Sequence, residues 1–362
     1  MLEKLLDRFR EKGPSRPRSK MEAEKRRRFL IVLVIVVAVV ASLSIVGYGY
    51  YDTGVRPWNQ RILKVNGTVI DMRTFVYALR LQQRYSSYYS SEAEWAQTVA
   101  SGMEENELMR QALENEFGID AASVVNDEAI EAYLRPIFVS DGRISDNATK
   151  DEYEQVYQEA LDGWVKTYGV PAKYFIDLAL EPALIGDELK KQIGDRDYPE
   201  DGSLEHAQVQ ALLVTGADDT TQLRAGWEAG EAFDTLSEEE SVSESLRDTD
   251  SDNTATIEWV PKGIRSEAFD NFTFSEVWSP GVISDPIQDS DDTGKYWVIK
   301  VLARGQQSLS EADRTTLISA AFTKWLEEVS DPENNDIVNY LNKKGGTAKL
   351  SWALDHVAVG AS

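Results

Sequence analysis

Residues 29–51, FLIVLVIVVAVVASLSIVGYGYY, contain no Asp, Glu, Lys, Arg or His. A helix rises about 1.5 Å per residue, so roughly 20 apolar residues cross the ~30 Å hydrocarbon core of a bilayer. Inside lipid each backbone amide must be paired within its own segment, and the run is therefore expected to be one spanning helix. Tyr48, Tyr50 and Tyr51 gather at its far end, where amphipathic rings favour the headgroup level, and Lys25, Arg26, Arg27 and Arg28 stand at its near end. That asymmetry places residues 1–28 in the cytoplasm and the bulk of the chain across the membrane. A cleaved signal peptide has a shorter apolar region of about 7–15 residues and a shorter leader, so an uncleaved single-pass anchor in the cell membrane is the expectation.

Charge sharpens the division. The first 28 residues hold 11 Lys/Arg and 5 Asp/Glu, although the 362-residue chain has a net charge of −24. An acidic exterior excludes nucleic acid as a partner, because phosphates demand Lys and Arg. The absence of cysteine excludes disulfides and thiolate metal sites. His206 and His356 are the only histidines, too few for a multi-histidine metal centre. No cofactor is expected, since no glycine-rich phosphate loop is present, and no Ser-His-Asp set stands out.

Residues 1–12 place Leu2, Leu5, Leu6 and Phe9 on one helical face among basic residues, which fits either a helix lying on the inner leaflet or a frayed tail. The stretch 13–20 (GPSRPRSK) is a linker. Beyond the anchor, 61–75 (RILKVNGTVIDMRTF) alternates around Asn66-Gly67, the signature of a tight strand-turn, and Asp71 is placed to cap a following helix. Helical patterns then run over about 71–91, 92–117, 126–138, 149–167 and 171–194. Near residue 204 the pattern changes: 209–214 (VQALLV) reads as a strand, 220–236 as a helix, and 257–260, 282–287 and 296–302 as short strands and turns. The run 238–253 has almost no apolar content and reads as a solvated loop. Within it Asp248, Asp250 and Asp252 begin like a calcium loop, but Asn253 and Trp259 occupy its glycine and glutamate positions, so no metal site is assigned. The DSDD tip at 289–292 reads as a hairpin turn. Residues 310–329 form an amphipathic helix capped by Ser310.

These pieces, in this order, resemble the extracytoplasmic foldases and chaperones of the PrsA, SurA and PpiD kind. KVNGTVIDMRTF at 64–75 is similar to the start of their helical chaperone domain. The stretch 209–304 resembles a parvulin peptidyl-prolyl isomerase domain through VQALLV, Gly230-Glu231-x-Phe233, Trp259-Val-Pro-Lys-Gly263, Ser279-Pro-Gly-Val-Ile-Ser-Asp-Pro-Ile287 and Tyr296-Trp-Val-Ile-Lys-Val301. The resemblance implies an α+β chain with a basic tail (1–28), a transmembrane helix (29–51), a mostly helical chaperone lobe (61–203), an inserted parvulin-like domain (204–306) and a C-terminal helix returning to the lobe, followed by a tail (307–362).

It also implies binding of unfolded or exported polypeptides, with or without X-Pro isomerisation. The isomerisation barrier is ~18–20 kcal/mol, and lowering it takes an apolar slot for the proline ring and polar groups that favour the twisted amide. The polar positions are altered here. Ala211 and Trp297 stand where the family carries histidines, and Ser243 stands near its Cys or Asp. His206 lies five residues out of register with the first of these. On the apolar side Phe269 matches the family's pocket phenylalanine and Phe274 its usual partner, while Arg265 stands where a methionine often lines the slot. Leu213, Trp259, Arg265, Phe269, Phe274 and Trp297 are the implied peptide- or proline-binding set. The expectation is a membrane-tethered foldase or chaperone with weak or no isomerase activity. The alternative is a non-catalytic accessory or scaffold subunit of a membrane protein complex.

Overall fold

The computed structural model describes residues 39–44, 48–246, 259–275 and 279–357. Two compact units divide the chain, Met1–Ala100 with Ile337–Ser362, and Ser101–Asp336. Within the apolar run, 39–44 and 48–50 are helical, while 29–38 and 45–47 lie outside the described residues. Among the described residues no helix is long and apolar enough to cross a membrane. The readings made at 1–28 and at the calcium-like 248–258 also fall outside them.

In the first unit, β1 (Arg61–Val65) and β2 (Thr68–Asp71) pair antiparallel. Asn66 and Gly67 join them with φ of 47° and 102°, the positive values a two-residue hairpin turn needs and Asn-Gly tolerates. Asp71 then starts α1 (Met72–Gln82), its carboxylate accepting the Thr74 N–H at 2.9 Å. Met72, Phe75, Val76 and Leu79 recur at helical spacing and are all buried. The chain tightens into a 3₁₀ turn over Gln83–Tyr88 before α2 (Glu92–Glu116), which carries it into the second unit.

The second unit continues with α3 (Ala121–Val124), α4 (Asp127–Ser140) and α5 (Lys150–Tyr168). Asn126 caps α4, and Thr149 with Glu152 forms a reciprocal capping box on α5. The single helix read over 171–194 is instead α6 (Ala172–Phe175), a π turn at Ile176–Leu180 and α7 (Glu181–Asp197). Pro182 sits in the first turn of α7; lacking an N–H it cannot continue an uninterrupted ladder, and the wide turn absorbs the break.

The sheet follows. Its members are β3 (Ser203–Thr215), β4 (Val242–Leu246), β5 (Trp259–Pro261), β6 (Ile287–Gln288) and β7 (Lys295–Ser308), ordered β4-β3-β7-β6 with β5 also on β3. Their pairings are antiparallel. Two helices, α8 (Ala217–Glu228) and α9 (Phe233–Ser237), replace the one read over 220–236, because Gly230 turns the chain at φ 96°. β4 corrects the solvated-loop reading at its start: Val242, Glu244 and Leu246 alternate with serines, and pairing with β3 satisfies a backbone whose side chains are mostly polar. Alternation along β3 and β7 splits the core. Leu212, Val214 and Val298 meet Leu223, Trp227 and Phe233 on one face. Ala211, Leu213, Trp297 and Ile299 meet Phe269 of α10 (Glu267–Thr273) on the other.

Ser310 caps α11 (Glu311–Val329), which packs on α7. Trp325 clusters with Ile185, Leu189 and Ile193, and its indole donates to Glu116 at 2.9 Å. The approach is close enough that a Cβ on Gly194 would meet Ile318 at 2.6 Å. The tail read after this helix is structured. In the first unit β8 (Ile337–Asn339) pairs with β1, Val65 facing Ile337, and α12 (Gly346–Val357) packs on α1. Lys349 reaches the Arg61 carbonyl at 2.7 Å and Arg80 the His356 carbonyl at 2.8 Å.

Candidate functional site

The sheet face with Ala211 and Trp297 is where the resemblance places an isomerase centre. β3 and β7 run in register there, Leu213 opposite Trp297 and Ala211 opposite Ile299, so both strands send these side chains to one side. The first turn of α10 brings Phe269 down onto them. Phe269 is fully buried and its ring meets Trp297 edge-on, with centroids 5.1 Å apart at 69°. Such a pair fills space efficiently, and aromatic edge-to-face contacts add about 0.5–1.5 kcal/mol beyond area burial.

The indole N–H of Trp297 donates to Asp289 Oδ1 at 2.9 Å, and Asp289 is itself buried. The reading of 289–292 as a mere hairpin tip therefore missed an anchor. The available signal was that a buried indole requires an acceptor, and Asp289 stands in the hairpin leading into its strand. Ser284, also buried, accepts the Ile299 N–H at 2.9 Å and donates its own N–H to the Ile299 carbonyl at 2.8 Å.

Ala211, Leu213, Phe269, Phe274 and Trp297 thus come together, with Phe274 at the half-buried margin. Lys262 Nζ and the Arg304 guanidinium each lie 5.8 Å from the Phe274 ring. Trp259 and Arg265 are not members of that cluster. Trp259 lies partly exposed on β5, over Gly305. Arg265 turns to β4, its guanidinium 2.5 Å from Glu244, a residue from the run read as loop. Ser243 is exposed and donates its hydroxyl to the Leu213 carbonyl at 3.0 Å. His206 lies on β3 five residues before Ala211, or about 17 Å along an extended strand, and bonds the Leu204 carbonyl. At Phe269 and Trp297 the face offers packed rings, and among the described residues no donor or acid is aimed at a place where an amide could sit.

Asp270, one residue beyond Phe269, is pushed up to about 6 by burial, against the Gly263 N–H that it accepts at 2.7 Å and the nearby Lys262. Its Oδ2 pins the turn before α10; its Oδ1 is buried with no hydrogen-bond partner among the described residues.

The helical part of the same unit is open where the sheet face is shut. Between α3–α4 and α7 lies a groove of about 690 Å³. Ile119, Val124, Ala129, Tyr133 and Leu184 supply its apolar lining, and Asp187, Glu188 and Lys191 stand along one side. Glu188 is held by Gln192 at 2.7 Å and by Lys191 at 3.4 Å, while Asp187 is exposed. Sequence reasoning found helical patterns at α4 and α7 but neither α3 nor the groove, which exists only once α3 and α4 are set beside α7. An apolar strip flanked by carboxylates can seat a polypeptide segment carrying an apolar side chain beside a cationic one.

No family model matches the chain, and no curated protein matches it. Among solved structures, the peptidylprolyl isomerase PrsA from Bacillus cereus matches at 13% identity, covering 83% of this chain and 92% of that one, with a TM-score of 0.32. The foldase protein PrsA from Streptococcus pneumoniae matches at 14% identity over 83% and 94% of the two chains, with a TM-score of 0.27. A structure described with PEB4 and Cj1289, SurA-like chaperones of Campylobacter jejuni, matches at 10% identity over 77% and 98%, with a TM-score of 0.24. These three solved structures are of PrsA- and SurA-like proteins, at scores too low to carry an argument about the activity of this α+β chain.

Proposed function

We propose that the chain is a chaperone tethered by residues 29–51 to the outer side of the cell membrane, where it holds unfolded or exported polypeptide without efficient prolyl isomerisation. The observation that carries this reading is the contrast inside one unit, an open groove of mixed character beside a closed sheet face. Catalysis of amide rotation requires groups that bind the twisted state better than the planar one, and neither Ala211 nor Trp297 supplies such a group. Holding a client requires only apolar surface with polar flanks, which the groove between α3–α4 and α7 offers.

Full-length protein in lipid nanodiscs tests both halves. Aggregation of a chemically unfolded client should be suppressed at near-stoichiometric amounts, while a proline-containing test peptide should isomerise at its uncatalysed rate. Catalysis well above that background would overturn the second half. Unchanged aggregation, together with crosslinking in membranes to one stoichiometric protein in place of many clients, would overturn the first and favour an accessory subunit.

A further inference from the structure

Directly after the apolar run the chain changes character. Residues 52–91 hold six Lys/Arg against two Asp/Glu, in a chain whose net charge is −24. Within that basic stretch the 3₁₀ turn Gln83–Tyr88 leaves large rings in solvent. Tyr88 is 82% exposed, and Tyr85 is exposed beside it with ring centroids 6.3 Å apart. The Arg84 guanidinium lies over the Tyr85 ring at 4.6 Å and reaches its hydroxyl at 2.5 Å.

Contacts within this unit say which way the turn points. Met72, the first residue of α1, donates to the Gln60 carbonyl at 2.7 Å. Near the other end of α1, Arg80 bonds the His356 carbonyl, and the His356 ring lies 5.5 Å from Trp58. Traced backward from Gln60 through Trp58, the chain therefore runs beside α1 from its start toward its end. It continues in helical turns to Tyr51, about 10 Å further at a helical rise, with Tyr48 and Tyr50 also exposed. The apolar run's tyrosine end and the Gln83–Tyr88 turn thus lie toward the same end of α1.

We infer that Arg84, Tyr85 and Tyr88 form a lipid-contacting surface that rests on an anionic leaflet, so that the first unit lies on the membrane instead of hanging from a stalk. The inference rests on the tether proposed above. Tyrosine rings settle at the headgroup boundary, where the ring leaves water and the hydroxyl keeps it. Basic residues beside a membrane anchor are drawn to anionic headgroups, and this stretch is basic where the chain as a whole repels them.

The chain contains no cysteine, so single cysteines can carry an environment-sensitive fluorophore without background. Full-length Tyr88→Cys and Ser42→Cys, each reconstituted in vesicles of equal parts phosphatidylcholine and phosphatidylglycerol, are read with quenchers placed at the headgroup or deep in the acyl chain. The label at 42 should respond to the deep quencher and the label at 88 to the headgroup quencher. The response at 88 should be lost in pure phosphatidylcholine or with Arg84→Glu, while that at 42 is unchanged. A label at 88 that stays in water while 42 responds overturns this inference and leaves the tether standing. A label at 42 that stays in water removes the tether, and the inference with it.

Discussion

The sheet face around Trp297 and the groove beside α7 belong to one unit and are both lined with apolar side chains, yet one is closed and the other open. The difference lies in how side chains reach the space. At the sheet, β3 and β7 present Leu213, Trp297 and Ile299 on a common side and α10 lowers Phe269 onto them, so large rings meet and bury one another. At the groove, helices α4 and α7 face each other through Ala129, Ala132 and Leu184, and small residues at the contact leave a trough. With a tryptophan at 297 the sheet face is filled, and with alanines at 129 and 132 the helices leave open space.

The largest effect should come from opening the closed side. Trp297→Ala removes a buried ring and leaves the Asp289 carboxylate without its indole donor, so unfolding in urea should show a loss of about 3–5 kcal/mol. Trp297→Phe keeps most of the volume but forfeits the hydrogen bond, and should lose about 1–3 kcal/mol. Equal stability of wild type and Trp297→Ala would mean that Trp297 is not core, and the contrast would fail.

On the open side the expected effect falls on binding, not on folding. Ala132 is exposed at the groove, and Ala132→Trp should fill it. Suppression of client aggregation should drop several-fold while the unfolding midpoint moves by no more than about 0.5 kcal/mol equivalent, as for ordinary surface substitutions. Full retention of client binding would move the seat elsewhere.

The two regions also differ in how far the sequence exposed them. Local signals carried the helices: the Asp71, Asn126 and Ser310 caps lie where side-chain chemistry demands them, and the Asn66-Gly67 turn follows from its own φ requirement. Elements whose identity depends on a distant partner were not legible. β8 is a strand because Val65 and Leu63 of β1 wait for it, and β4 is one because β3 does, although its own residues are largely Ser and Glu. Register against the family placed Ala211, Phe269 and Trp297 near one another. That the space between them is filled depends on ring orientation, which a linear pattern does not carry; that a buried Trp297 needs an acceptor was legible, and the fold of the hairpin decides that Asp289 supplies it.

A smaller effect tests the margin of the closed side by pH. Burial raises the Asp270 carboxyl to about 6, so ionising it opposes folding. The folded chain holds this proton more tightly than the unfolded one. The penalty is therefore full above about pH 6, shrinks as pH falls, and is gone near the unfolded value of about 3.8. Asp270→Asn can still accept the Gly263 N–H and should stabilise the protein by about 1 kcal/mol near neutral pH, after allowance for partial solvent screening. The gain should fade on acidification and vanish near pH 3.8 in parallel urea titrations. A gain independent of pH would place its cause in packing.

The smallest expected effect concerns the Arg265–Glu244 pair, the polar edge of the closed face. The two side chains are 27% and 37% exposed, so water competes with their attraction. Exposed and half-exposed pairs contribute about 0.2–1 kcal/mol, and screening by salt weakens them further. A double-mutant cycle of Arg265→Ala and Glu244→Gln should give a coupling inside that range that declines as salt is raised, with no change in client binding, since neither residue lines the groove. Coupling well above that range would mean that this edge is drier than its exposure indicates. A loss of client binding would tie the sheet face to polypeptide recognition after all, and the division of labour between the two regions would have to be redrawn around Arg265.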